Sequence, residues 1–130
     1  MMERWLGTFS ELIYSMMRAV VGLLFACHGA QKLFGALGGQ SQVGNPMMTI
    51  AGIIEFFGGL AVAVGLSAGY AAFLASGLMA SAYFMAHAPN GFWPIVNKGE
   101  LAAVYCFVFL FIASRGSGRY SVDALAKRRR

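Results

Sequence analysis

Four long apolar runs dominate the chain: Leu12 to Phe34, Met47 to Leu66, Tyr70 to His87 and Leu101 to Ser114. A helix rises about 1.5 Å per residue, so about 20 residues cross the hydrocarbon core of a bilayer. The first three runs meet that length, and the fourth falls short by about six residues. It reaches across if its helix starts near Val96, or if the bilayer thins locally. Pro94 suits a position just before such a start.

The rest of the composition agrees. Of 130 residues, 58% are hydrophobic and 12% charged, against about 45–50% and about 25% in soluble domains. A soluble domain of this size would expose large apolar patches, whereas a bilayer solvates them. The sequence therefore predicts one all-α membrane domain over 1–130. It would be a four-transmembrane-helix bundle with helices at about 12–34, 47–66, 70–87 and 97–114 and a short basic tail over 115–130. Leu24-Phe25-Ala26-Cys27 has a faint lipoprotein-box character, but Phe25 is bulky and the helical pattern runs on to Phe34. A retained helix is expected rather than a cleaved signal.

Lys and Arg placement orients the bundle. Arg4, Arg18, Arg115, Arg119 and the terminal Lys127, Arg128, Arg129 and Arg130 fall on one side, and only Lys32 and Lys98 on the other. The basic side, with both termini, is expected in the cytoplasm. Membrane lipids are the expected partner of the basic tail, by about 1 kcal/mol per basic residue, and nucleic acid is not. The loop Ala88 to Gly99 carries Phe92, Trp93 and Pro94 and is expected in the headgroup region, where Trp is enriched.

Small residues recur at Ala68, Ala72, Ser76 and Ala80, a stripe that lets helices approach closely. It serves a neighbouring helix or a second copy of the chain equally well. Gly58 and Gly59 are candidates for the same role. A weak internal repeat pairs Cys27-His28 with Ala86-His87, and Glu55 with Glu100. It implies two parallel hairpins about an axis along the membrane normal. Cys27 and Cys106 form no CxxC pair and are expected to be two inert buried thiols rather than a thiol pair.

Glu55 is the most informative charge. It sits between Ile54 and Phe56, roughly 12 Å into its span. A charge near the bilayer centre costs about 2.5–3.5 kcal/mol, so Glu55 should face the interior and needs a partner or a proton. By depth, its neighbours in the outer half are His28, Gln31, Lys32, His87, Asn97, Lys98 and Glu100, while the inner half offers only Arg18. Polar residues also stitch membrane helices together with no ligand at all.

Two His and two Glu would suit a metal, but HxxH and ExxH spacings are missing, and His87 lies too near a helix end for haem. No metal is expected. A quinone-like, polar-headed lipophilic ligand fits better, lined by His28, Gln31, Lys32, Glu55, His87, Asn97 and Glu100. Glu55 or His28 would then relay a proton.

His28-Gly29-Ala30-Gln31-Lys32-Leu33-Phe34-Gly35 resembles the signature that ends the first helix of DoxX family membrane proteins. Glu55 in Gly52-Ile53-Ile54-Glu55-Phe56-Phe57-Gly58-Gly59 agrees. So do His87 before Phe92-Trp93-Pro94, then Asn97-Lys98-Gly99-Glu100-Leu101-Ala102, and the closing Gly116-Ser117-Gly118-Arg119-Tyr120-Ser121-Val122-Asp123. The resemblance implies a multi-pass protein of a bacterial or archaeal cytoplasmic membrane. It also implies a link to membrane oxidoreductase complexes, including quinone-linked sulfur oxidation and defence against oxidative or electrophilic stress. The chain shows no covalently bound cofactor of its own. It would act at most as a membrane subunit, with a partner protein of the complex supplying electrons. The alternative is a non-catalytic assembly or scaffold protein, or a small-molecule permease. A fold alone does not choose between them.

Overall fold

The computed structural model describes residues 1–130. It contains seven helical segments and no strand: α1 Met2–Gly7, α2 Ser10–Phe34, α3 Pro46–Val64, α4 Ala68–Asn90, α5 Pro94–Asn97, α6 Glu100–Arg115 and α7 Val122–Arg128. Local chemistry sets their ends. Asn45 accepts the Met47 and Met48 amides in front of Pro46, so α3 opens with a side-chain cap and a proline at its first position. Gly35 and Gly65 close α2 and α3 in left-handed backbone, at φ 66° and 77°.

Helices α2, α3 and α4 are each long and apolar enough to cross a membrane. Helix α6 has 16 residues, about 24 Å of rise. A start at residue 97 is not observed. Lys98 adopts φ 63°, and the Asn97 side chain accepts the Gly99 amide at 2.8 Å. This turn separates α5, which Pro94 opens, from α6.

The four long helices pack as a bundle whose outer surface is apolar. Leu23, Leu24, Phe57, Phe73, Phe107 and Phe111 are all exposed, as suits a lipid solvent. Helices α2 and α3 touch backbone to backbone. A methyl group on Gly22 would lie 2.5 Å from the Gly59 carbonyl oxygen, and one on Gly29 would lie 2.3 Å from the Phe56 nitrogen. Gly59 takes part in this seam, whereas Gly58 has open space around it. Helices α4 and α6 pair through Ala68, Ala72, Ala75 and Ser76, all buried, with Ala80 only partly so. The Ser76 hydroxyl donates to the Cys106 carbonyl at 2.8 Å. Helices α2 and α6 meet instead through rings: Phe25 lies 5.5 Å from Tyr105 and 4.6 Å from Phe109.

Burial recurs at a spacing of 50 residues (72 − 22 and 102 − 52). Gly22, Phe25, Ala26 and Gly29 are buried, and so are Ala72, Ala75, Ser76 and Met79. Gly52, Glu55, Gly59 and Val62 match Ala102, Tyr105, Phe109 and Ile112 in the same way. The two hairpins thus bury equivalent faces. The register differs from the sequence pairing of Glu55 with Glu100, because Glu100 is exposed and Tyr105 occupies the equivalent inward position. The thiols also differ from expectation. Cys106 is half-buried, but Cys27 is exposed on the lipid-facing side of α2 beside Leu23 and Leu24.

Arg18 is not alone at its end of the bundle, as the sequence suggested. It is 2% exposed. Its Nε–H donates to the Val62 carbonyl at 2.9 Å, one terminal nitrogen donates to the Tyr120 carbonyl at 2.9 Å, and the other to Ser117. The closing segment reaches Arg18 because Gly116 and Gly118 take φ 80° and 81°, where other residues are strained. Tyr14 donates its hydroxyl to the Gly116 carbonyl at 2.7 Å. The Ser117 hydroxyl donates to Asp123 at 2.6 Å, and Asp123 also accepts the Ser67 amide at 2.8 Å, ahead of α4. Glu11 pairs with Arg115, which lies 4.3 Å over the Tyr14 ring. The start of α2 and the end of α6 therefore share one end of the molecule.

Arg18→Met leaves buried carbonyls without donors, at a cost of about 3 kcal/mol or more. Thermal unfolding in detergent should show a clear loss of stability. Arg18→Lys should recover little, because one ammonium cannot reproduce the guanidinium fork. An unchanged melting temperature in both variants would contradict the clamp.

Candidate functional site

The opposite end of the bundle holds the polar residues that the sequence assigns to the outer half. Glu55 lies on a wide π turn over Ile54–Gly58, a local irregularity frequent at functional positions. Its side chain is 5% exposed, and Lys32 in the last turn of α2 is its partner. The Lys32 ammonium donates to both carboxylate oxygens, at 2.9 and 2.7 Å. The pairing depends on the glycine seam. Gly52 lies under the Lys32 and Leu33 side chains, where a methyl group would come within 3.1 Å of both.

His28 lies one turn before Lys32 on the same face of α2. Its ring meets Tyr105 edge-on, with centroids 6.2 Å apart. Tyr105 is 6% exposed. Its hydroxyl makes no hydrogen bond inside the chain, yet no buried side-chain polar atom lacks a partner. The hydroxyl therefore keeps some accessible surface of its own. The Lys32–Glu55 ion pair and, one turn along α2, the His28 imidazole against the Tyr105 phenol make up the first candidate station.

His87 and Asn97 form a second station. A second π turn spans Tyr83–His87. The His87 Nδ1–H donates to the Asn97 carbonyl at 3.2 Å, which leaves Nε2 as the acceptor in the neutral ring. The Asn97 amide donates to the Tyr83 hydroxyl at 3.2 Å and the Gly91 carbonyl at 3.0 Å. With its bond to Gly99, this buried side chain pins the loop between α4 and α6. Gln31 belongs to neither station, since it donates to the Leu37 carbonyl at 3.1 Å and holds the first long loop. Glu100 is exposed in the first turn of α6. No three His, Cys, Asp or Glu side chains gather as a metal site would require.

Sequence reasoning missed Tyr105 and Tyr83, because a tyrosine in an apolar run resembles any membrane aromatic. The available signal was Tyr105 standing 50 residues after Glu55.

Comparison with known proteins places this arrangement. Residues 13–88 match the DoxX family. The chain belongs to the DoxX family. The matched segment carries His28, Lys32, Glu55, Tyr83 and His87; Asn97, Tyr105 and the Arg18-binding segment follow it. A protein of Haemophilus influenzae, described as uncharacterized, is 39% identical over 125 residues, covering 91% of this chain and 93% of that protein. No solved structure matches. As a DoxX member with several apolar helices, this is a multi-pass membrane protein in contact with lipid.

Lys32→Met or Glu55→Leu alone leaves the other ionisable group unpartnered in the apolar interior, where it stays charged or must neutralise, and each should cost on the order of 2–3 kcal/mol. The double variant Lys32→Met/Glu55→Leu should recover most of that loss, because the pair is removed whole. Thermal unfolding of the four proteins measures the coupling. Additive losses would show that the pair is not energetically linked.

Proposed function

We propose that this DoxX protein is a four-span subunit of a quinone-linked oxidoreductase or oxidative-stress system in a bacterial or archaeal cytoplasmic membrane, with both termini in the cytoplasm. It binds a quinone-like lipophilic ligand in the outer half of the membrane. The observation that carries this reading is the station at Glu55. A partnered carboxylate, an imidazole and an accessible phenol hydroxyl converge inside an apolar bundle. His28 and Tyr105 donate to carbonyl oxygens of a flat ring, and the Lys32–Glu55 pair supplies or takes up a proton beside it. The quinone, when bound, supplies the redox chemistry, and a partner protein supplies the electrons. Of the seven residues expected to line the ligand, His28, Lys32 and Glu55 are best placed, with Tyr105 added. His87 and Asn97 shape the neighbouring loop.

Helix α6 serves as the fourth span despite its length. It pairs with α4, and α5 with its exposed Phe92, Trp93 and Ile95 neighbours extends the apolar surface into the interface. A permease is disfavoured. Phe25, Phe109, Val62 and Ile112 are fully buried and fill the bundle between the Arg18 end and the Glu55 end. A scaffold reading has one observation in its favour, since Lys32 and Glu55 satisfy each other without a ligand.

Extraction of lipids from the protein purified in mild detergent separates these readings. Near-stoichiometric quinone is expected. His28→Ala and Tyr105→Phe should each lower its occupancy by about five- to tenfold, the value of one lost hydrogen bond, with melting temperature preserved. Phospholipid alone, or quinone occupancy indifferent to both substitutions, would overturn the proposal and favour the scaffold.

A further inference from the structure

The closing segment does more than bind Arg18. Two clefts meet along it. The first, about 540 Å³, contains Arg115, Lys127 and Arg130 beside Asp123. The second, about 550 Å³, contains Tyr70, Phe73 and Ala113 in the groove between α4 and α6. The two share Gly116, Ser117 and Asp123. A basic, polar cleft therefore continues into an aromatic-lined groove that runs along the apolar surface of the bundle.

The charges differ in their availability. Arg115 is held by Glu11 and the Tyr14 ring. One Asp123 oxygen accepts both the Ser67 amide and the Ser117 hydroxyl, so its charge is partly spent inside the fold. Lys127 and Arg130 are exposed, and neither side chain makes an ion pair within the chain. The cleft thus offers two free cations, Lys127 and Arg130, beside an Asp123 carboxylate already engaged in the fold. Its volume exceeds what a bare phosphate fills, and through Gly116, Ser117 and Asp123 it adjoins the groove that contains Tyr70 and Phe73.

We propose that the joined clefts bind one anionic phospholipid, with its phosphate between Lys127 and Arg130 and an acyl chain against Tyr70 and Phe73. Basic residues at a membrane surface attract anionic lipid generally. The structure adds a shaped seat that couples the charge to an apolar groove. Such a lipid would brace the segment that reaches Arg18 and would contact α4, α6 and α7 together. The seat lies at the opposite end from Glu55, so it stands whether or not a quinone binds there.

Native mass spectrometry of the full chain in detergent tests this with phosphatidylglycerol, phosphatidylcholine and inorganic phosphate as probes. Phosphatidylglycerol should be retained at least about fivefold more than phosphatidylcholine. The variant K127Q/R130Q should lose that preference while melting as the parent does, since neither side chain makes a bond in the fold. Phe73→Ser should weaken retention of phosphatidylglycerol without restoring phosphatidylcholine. Millimolar inorganic phosphate should not displace the lipid. Equal retention of the two lipids, indifference to K127Q/R130Q, or displacement by phosphate alone, which would mark a free-anion site, would each overturn the proposal.

Discussion

A carboxylate inside an apolar bundle needs a counter-charge, and the Lys32–Glu55 pair meets that need where α2 crosses α3. The pair works because the helices touch. Gly29 and Gly52 let the backbones close, so a lysine in the last turn of α2 reaches both oxygens of a glutamate on a π turn of α3. Larger residues at those glycines would force the helices apart and draw the ammonium off the carboxylate. Packing, charge and position along the bundle are one constraint at this point.

The other end of the molecule solves a similar problem differently. Arg18 has no carboxylate against it. It is satisfied by main-chain carbonyls from α3 and from a closing segment whose glycines allow it to fold back. Between the two ends the interior is aromatic and aliphatic, led by Phe25, Tyr105 and Phe109. The bundle therefore separates a charged pair at one end from a buried cation at the other.

Much of this was legible in the chain. Apolar run length specified α2, α3 and α4, because a bilayer span imposes a length. The cost of burying Glu55 announced an interior partner, and Lys32 was among the candidates by depth. Three features were not legible. The fold of Gly116–Asp123 depends on left-handed glycines and on main-chain acceptors, which have no side-chain pattern to read. The α2–α3 seam uses Gly22, Gly29, Gly52 and Gly59, only some of the 17 glycines, and selecting them requires knowing which face of each helix turns inward. The break at Lys98 comes from an asparagine bonding its own loop, which outweighs the helical pattern around it. Depth counting gathered His87, Asn97, Gln31 and Glu100 at one level. It could not resolve rotation about each helix, and rotation sends Gln31 to the first loop and Glu100 to the surface.

The account rests on Glu55 being ionised and bound to Lys32. Isotope-edited infrared spectroscopy of the protein labelled at glutamate, with Glu55→Gln as the difference reference, reads that state directly. A carboxylate stretch assigned to Glu55, replaced by a protonated carboxyl stretch in Lys32→Met, is the predicted result. A protonated carboxyl stretch in the unaltered protein at neutral pH would contradict the ion pair and the site built upon it.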